Sequence, residues 1–212
     1  MPHQKKREKR KKAKLKIQSF SEGPADCISS AITGHTQGHN SVFLGIGSNL
    51  GNKEKNIADA FFLLRKHLEE LETASLYISR PLYYKNQPDF INTVFRGKAS
   101  PGIYPDGLLE TVLDIEKELG RTRDPSLPKG PRTIDIDILL FRDTILNTAK
   151  LTLPHPGIKE RQFVLMPLLE LDNTLTDPLT LQKYLMFTEK QDNQGVYLYK
   201  SCRYIEKYKY TG

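Results

Sequence analysis

The residue pattern predicts an α+β fold, an antiparallel sheet with helices packed on it, built in the order β-α-β-β-α-β. Three observations predict it. Between residues 41 and 141, short β-rich apolar runs alternate with two helical stripes, so the hydrophobic period switches between 2 and 3.6. Turn residues separate the runs: Ser48-Asn49, the stretch from Pro81 to Pro88, and Gly120. The resulting order is the split βαβ arrangement, in which two helices cover one face of an antiparallel sheet.

Taken in turn, Ser41-Val42-Phe43-Leu44-Gly45-Ile46-Gly47 is a short apolar run closed by glycine and reads as the first strand. A helix follows from about Asn52 to Leu71, with Ile57, Ala60, Phe61, Leu64 and Leu68 at helical spacing. Ser75 to Arg80 reads as the second strand and Asp89 to Gly97 as the third. Asp106 is placed to cap a second helix whose stripe is Leu108, Leu109, Val112, Ile115 and Leu119, and Gly120 ends it. Arg121 to Pro131 is charged, holds three prolines and has no period, so it reads as a loop. Thr133 to Phe141 alternates as a strand, and Phe163 to Leu171 reads as a terminal helix. The aromatic alternation Val196-Tyr197-Leu198-Tyr199 suggests an edge hairpin within a C-terminal extension, residues 186–212.

Composition narrows the classes of function. Of the 212 residues, 38% are hydrophobic, enough to bury a core, yet no run of 18 uncharged apolar residues is present to span a bilayer. The basic start leads into polar residues and not into an apolar block, which excludes a secretory signal peptide. Two distant cysteines, Cys27 and Cys202, exclude a disulfide-stapled miniprotein and a cysteine-based zinc module, and a reducing, cytoplasmic setting is expected. The net charge of +7 is misleading: residues 1–16 hold nine Lys/Arg and one acid, which leaves 23 basic and 24 acidic side chains elsewhere. Basicity therefore belongs to an arm. Residues 1–40 lack apolar periodicity and are expected to be flexible, with the compact domain at 41–185.

Chemistry concentrates in Gly130-Pro131-Arg132-Thr133-Ile134-Asp135-Ile136-Asp137-Ile138. On a strand the isoleucines share one face, and Asp135 and Asp137 share the other, about 7 Å apart. Two carboxylates so placed repel, and a divalent cation with oxygen ligands would compensate; pairing with Arg or Lys at the surface would do so as well. Arg121, Arg123, Lys129 and Arg132 lie just upstream, in and beside a loop long enough to move. Mobile guanidiniums over a carboxylate-held metal suit phosphoryl-type transfer, which needs positioning and charge neutralisation more than covalent chemistry. The run Gly45-Ile46-Gly47-Ser48-Asn49-Leu50-Gly51 lacks the Lys-Ser/Thr of a P-loop and reads as a tight strand-to-helix turn.

Four stretches in order, Gly47–Gly51, Gln87–Asn92, Gly120-Arg121 with Gly130–Asp137, and Pro154-His155-Pro156 leading to Arg161-Gln162-Phe163, resemble the 6-hydroxymethyl-7,8-dihydropterin pyrophosphokinases of folate biosynthesis. The resemblance covers residues 42–185. It implies a ferredoxin-like α/β sandwich and a monomer that transfers the β,γ-diphosphate of ATP to the hydroxymethyl group of the dihydropterin, leaving AMP. It implies that Asp135 and Asp137 hold two magnesium ions and that Arg121 and Arg132 assist transfer. Asn92 would read the pterin edge, Phe90 and Phe163 would sandwich the bicycle, and Ser79, Pro81 and Leu82 would line its pocket. Glu116, Arg123, Lys150, Thr152, His155 and Arg161 would contact ATP. The sequence departs from the family at Lys129, where several relatives place Trp, at Leu113, where some have Gln, and at Arg80 on the pocket's rim.

The alternative is a nucleic-acid-binding module of the same fold with a basic arm. Against it, the third strand carries no RNA-reading motif and the domain without its arm is near neutral. Nucleic acid is therefore expected, if at all, only at residues 1–16.

Overall fold

The computed structural model describes residues 41–123, 125–188 and 194–208. The arm expected at residues 1–40 lies outside the described residues. At the centre is β1 (Ser41–Ser48), whose β-branched and aromatic side chains suit a strand buried on both faces. It lies between β4 (Phe90–Ala99) and β5 (Asp135–Phe141), antiparallel to both. Outside β4 come β2 (Leu68–Thr73), on the C-terminal half of β4, and β3 (Leu76–Ser79), on its N-terminal half. The sheet order is β5-β1-β4-β3-β8, with β8 (Tyr197–Lys200) as the outer strand. A separate two-stranded ribbon joins β6 (Leu146–Asn147) and β7 (Thr152–Leu153).

Alternation assigns the two faces. Val42, Leu44, Ile46, Ile91, Phe95, Ile136 and Ile138 point into one core with α1 (Lys53–Leu64) and α2 (Pro105–Glu118). Phe43, Val94 and Leu139 point into the other with α3 (Gln162–Leu171). Two helices on one face is the arrangement the segment order predicts. Among the described residues no helix is long and apolar enough to cross a membrane.

Several boundaries differ from the sequence reading, each for a physical reason. Asn52 caps α1 by accepting Lys55 N–H, as its position suggests, but the helix stops at Leu64 and not at Leu71. Leu68 fits the helical stripe and also buries as the first residue of β2, so periodicity alone does not separate the two. Tertiary pairing decides: Glu72 sits opposite Arg96 and Glu70 reaches Lys98 at 2.6 Å, cross-strand ion pairs that a helix would forfeit. Asp106 does not cap α2. Tyr104 is the N-cap residue and Pro105 opens the helix, where its missing N–H costs nothing, leaving Asp106 in the first turn near the positive end of the dipole. At the other end Gly120 adopts φ +77°; its N–H donates to Lys117 C=O and Arg121 N–H to Glu116 C=O, a Schellman closure. That closure aims the chain at Arg121. The last core strand begins at Asp135, two residues later than expected.

The kink between β2 and β3 is held by α3. Glu170 accepts Ser75 N–H at 3.0 Å, Ser75 Oγ–H at 2.7 Å and Tyr77 O–H at 2.8 Å. Burial and the Glu170 charge push the Tyr77 phenol far up, so it remains a donor.

Among the described residues the C-terminal extension forms one edge strand and not a hairpin. β8 runs antiparallel to β3, with Ile78 opposite Tyr197. A 3-10 helix, Cys202–Lys207, follows. Glu54 of α1 pins this segment, accepting from Lys200 Nζ at 2.6 Å, Tyr199 O–H at 2.9 Å and Tyr208 O–H at 3.2 Å.

Burial pushes the Glu54 carboxyl up, but hydrogen bonds from Lys200 and Tyr199 outweigh it and hold the group below its ordinary value of 4.5. A depressed carboxyl supports the folded state above its unfolded value and loses that support as pH falls through the folded one. Amide protection in residues 197–208, exchange taken relative to the intrinsic rate at each pH, is therefore expected to fall on acidification below about pH 4.5. Glu54→Gln should be less protected than wild type at pH 7, with the difference shrinking as the pH falls; protection independent of pH and of this substitution would refute the anchor.

Candidate active site

Three strands build a floor on the α3 face. Alternation on β5 sends Ile134, Ile136 and Ile138 into the helix-side core and leaves Asp135 and Asp137 together on the other face. Register then aligns one row across the sheet: Asp135 pairs with Gly47, and Gly47 pairs with Asn92. A Cβ at Gly47 would lie 3.3 Å from Asn92 Oδ1, 3.8 Å from Phe90 Cδ1 and 3.9 Å from Asp135 Cβ. The bare glycine keeps the ground between carboxylate and amide open. Gly45 and Gly47 thus lie within β1, as the strand read over residues 41–47 has them, and the strand-to-helix turn is Asn49-Leu50-Gly51, with Gly51 at φ +63°.

On the β4 side, Asn92 is buried, and its amide donates to Ser79 Oγ at 3.0 Å. Phe90 shares this face of β4, with the Arg132 guanidinium 5.1 Å from its ring centre. Phe163 is the second residue of α3, partly buried against the core of the same face. Pro81 and the exposed Leu82 lie on the loop after β3.

On the β5 side the charges interlock. Arg121 Nη1 contacts Asp135 Oδ1 at 2.5 Å, and Arg132 Nη2 contacts Oδ2 at 2.7 Å. Glu116, buried on α2, bonds Arg121, accepts Arg123 Nη2–H at 2.9 Å and accepts Ile136 N–H at 2.8 Å. It therefore acts here as an internal post for two arginines, with both oxygens engaged by protein. Burial, more than any partner, pushes its carboxyl up.

Arg161 Nη1 stands 3.9 Å from Asp137 Oδ2. Burial first, and then the Asp135 charge, raise the Asp137 carboxyl above its ordinary range. That is the repulsion expected of two carboxylates on one strand face. Two hard oxygen donors in mutual repulsion fit Mg2+, which takes one or two protein carboxylates and completes its shell with water and phosphate oxygens. Among the described residues no group of three or more His, Cys, Asp or Glu converges to hold a metal by itself, so oxygens from elsewhere would complete the shell.

His155 lies between this cluster and the β6–β7 ribbon, its N–H donating to Leu139 C=O at 2.9 Å. Its Nδ1 accepts Gly157 N–H at 3.0 Å, which leaves Nε2 carrying the proton of the neutral ring. Burial and the Arg161 charge push the imidazole down to about 4. Thr152 on β7 bonds Asn147 at 3.3 Å and Lys150 is exposed at the ribbon's turn; neither is bonded to the carboxylate pair.

Two contributors have roles the sequence reading did not assign. Asn49, buried at the end of β1, donates through its amide to Gln87 Oε1 at 2.9 Å and Pro88 C=O at 3.1 Å, and accepts Arg132 N–H at 2.8 Å. It staples the loop before β4 to the loop before β5. Tyr83 carries Lys129 Nζ 3.6 Å above its ring, and its hydroxyl accepts from Arg161 Nη2 at 3.5 Å. Lys129, where several relatives of the resembled family have Trp, thus joins the two loops by cation–π contact.

Comparison with known proteins identifies the family and supports the fold. The family model described as 7,8-dihydro-6-hydroxymethylpterin-pyrophosphokinase matches residues 43–173. The 2-amino-4-hydroxy-6-hydroxymethyldihydropteridine pyrophosphokinase of Bacillus subtilis is 35% identical over 172 residues, covering 80% of this chain and 96% of that protein. Its Aquifex aeolicus counterpart is 38% identical over 138 residues, covering 65% and 84%. A folic acid synthesis protein of Schizosaccharomyces pombe is 40% identical over 162 residues, 76% of this chain. This chain spans only 22% of that protein, and 20% and 25% of those of Pneumocystis carinii and Dictyostelium discoideum. The crystal structure of Plasmodium falciparum HPPK-DHPS wild type superposes with a TM-score of 0.55 at 16% identity, covering 71% of this chain and 44% of that one, which supports the fold.

Asn49→Ala removes the side-chain partner of Gln87, Pro88 and Arg132 and is expected to lower unfolding free energy by about 1–3 kcal/mol. Proteolysis should speed up in residues 81–89 and 121–131 together; acceleration in only one loop would contradict the staple. The His155 imidazole is expected to show no NMR titration between pH 5.5 and 8.5, whereas a midpoint near the free value of 6.5 would refute the buried neutral ring.

Proposed function

Because this chain belongs to the 7,8-dihydro-6-hydroxymethylpterin-pyrophosphokinase family, we propose that it transfers the β,γ-diphosphate of ATP to the hydroxymethyl oxygen of 6-hydroxymethyl-7,8-dihydropterin. The new bond joins that oxygen to the β-phosphorus, the bond between the β-phosphorus and the α-phosphate's bridging oxygen breaks, and AMP leaves. One observation carries the reading: a single row across the sheet places Asp135 opposite an amide-bearing Asn92 with only Gly47 between them. Two strand spacings separate the ends of that row, about 10 Å, the scale of a bicyclic heterocycle with a short arm. Asn92, already oriented by Ser79, reads the polar edge of the pterin, and the rings of Phe90 and Phe163 bind its faces.

The acceptor alcohol then points toward β5. Asp135 and Asp137 would hold two Mg2+ ions, which supply neutralisation of the triphosphate's charge. Arg121 and Arg132 start on Asp135 and exchange that carboxylate for phosphate oxygens when the nucleotide enters. The exchange leaves no charge unpaired at any stage, which matters because an orphaned buried charge is costly. Arg123, largely exposed and tied to Glu116, is free to swing outward. Arg161 sits beside Asp137 and binds the nucleotide's phosphates, while His155, neutral, offers Nε2–H as an uncharged donor. Lys150 and Thr152 extend the nucleotide side along the β6–β7 ribbon. Closure of the Arg121–Pro131 loop over the Pro81–Pro88 loop excludes water from an activated phosphoanhydride, and both loops are already tied to Asn49.

The test is AMP formation from ATP and Mg2+ with and without the pterin alcohol. Wild type is expected to release AMP only with the pterin. Asp137→Asn should lower turnover by about 100-fold or more, since loss of an electrostatic ligand removes stabilisation of the transferring group, with an unchanged circular dichroism spectrum. Near-normal turnover would exclude Asp137 as a ligand, and AMP released without pterin would exclude the acceptor.

A further inference from the structure

We propose that Gln194 of the C-terminal extension is a positioning residue that sets Arg161 in the nucleotide half of the site. The inference rests on the functional reading above and goes beyond it, because residue 194 lies outside the span 43–173 matched by the family model. It begins from an unmet need. The first turn of any helix has backbone N–H groups without intrahelical partners, usually served by a Ser, Thr, Asp or Asn at the N-cap. In α3 the N-cap residue is Arg161 itself, extended at φ −112°, ψ 104°, and it makes no side-chain cap bond.

The missing acceptor comes from 32 residues further along the chain: Gln194 Oε1 accepts Gln162 N–H at 3.1 Å. The other end of the same amide donates from Nε2 to Glu160 C=O at 2.7 Å. Gln194 N–H in turn donates to Gln162 Oε1 at 3.4 Å. One side-chain amide thus grips the backbone on both sides of Arg161, at residues 160 and 162. Fixing the two flanking peptide groups fixes the direction in which the Arg161 side chain leaves the backbone. Its guanidinium is directed to Asp137 at 3.9 Å and to the Tyr83 hydroxyl at 3.5 Å.

The grip is useful only if Gln194 is itself held, and it is. Three residues later the chain enters the main sheet, with Tyr197 opposite Ile78. Gly195 lies against Arg80, whose Cδ would be 3.8 Å from a Cβ built there. Beyond β8, Glu54 ties Lys200, Tyr199 and Tyr208 to α1. An arginine ordered in advance does not lose rotamer freedom when the nucleotide binds, so the extension acts through ATP affinity.

Steady-state kinetics of full-length Gln194→Ala, Arg161→Ala and the double variant test this. Gln194→Ala is expected to raise KM for ATP about 3–10-fold, the effect of one long side chain losing its order, with kcat and the pterin KM changed less than twofold. Combined with Arg161→Ala it should add less than twofold, since the two act through one group. An unchanged ATP KM, equal rises in both KM values, or fully multiplicative effects would overturn the proposal. Should Gln194→Ala fold poorly, Gln194→Glu keeps the acceptor for Gln162 and loses the donor to Glu160, and a smaller ATP-specific rise is expected; no rise overturns the idea. A wild-type chain that never releases AMP defeats the functional reading and this inference together, whereas active wild type with unaltered variants defeats the inference alone.

Discussion

The Glu116 carboxylate is the interaction on which the site depends. It is buried at the end of α2 and accepts a backbone N–H from β5, the edge strand of the sheet, while pairing with Arg121 and Arg123. Remove it and three donors lose their acceptor, two of them, the Ile136 N–H and Arg121, in a place water reaches poorly. Its raised carboxyl shows that burial works against the charge, so the group is retained at a cost that the surrounding cations offset. The Schellman turn at Gly120 then carries Arg121 back over β5 to Asp135. Helix end, edge strand and Arg121 are thereby one electrostatic unit.

A second constraint is geometric. The period of two on β5 would put a carboxylate pair on any such strand face, but a usable site needs open ground beside it. Gly47 supplies that ground because β1, the most buried strand, presents no side chain where the row crosses it. The same bare position brings Asn92 within reach from β4. Carboxylates and amide thus meet across three strands that are far apart in sequence, and only the antiparallel register sets their separation.

The charge arrangement also has a logic. Asp135 is doubly satisfied by Arg121 and Arg132, while Asp137 has the more distant Arg161 and carries the raised carboxyl. The loops that would move are joined at Asn49 and again at Tyr83, where Lys129 and Arg161 both contact one ring and its hydroxyl.

Local rules made much of this legible from the residues alone: alternation on Asp135–Ile138, the glycine stop at residue 120, the order of strands and helices, and the basic loop before β5. Each depends only on near neighbours and on the hydrophobic period. What was not legible had a common cause in long-range partners. Leu68 satisfied both helix and strand periods until β4 supplied the pairing that chose β2. Nothing local reveals that Gly47 lies between Asp135 and Asn92, or that Glu116 serves the Ile136 N–H. The sequence by itself determined which face of β5 is acidic, since a side chain's direction on a strand follows from its place in the chain. Only the tertiary structure decided what that face meets, because the distances from Asp135 to Asn92 and from Gln194 to Arg161 are set by register and packing between segments that share no local code.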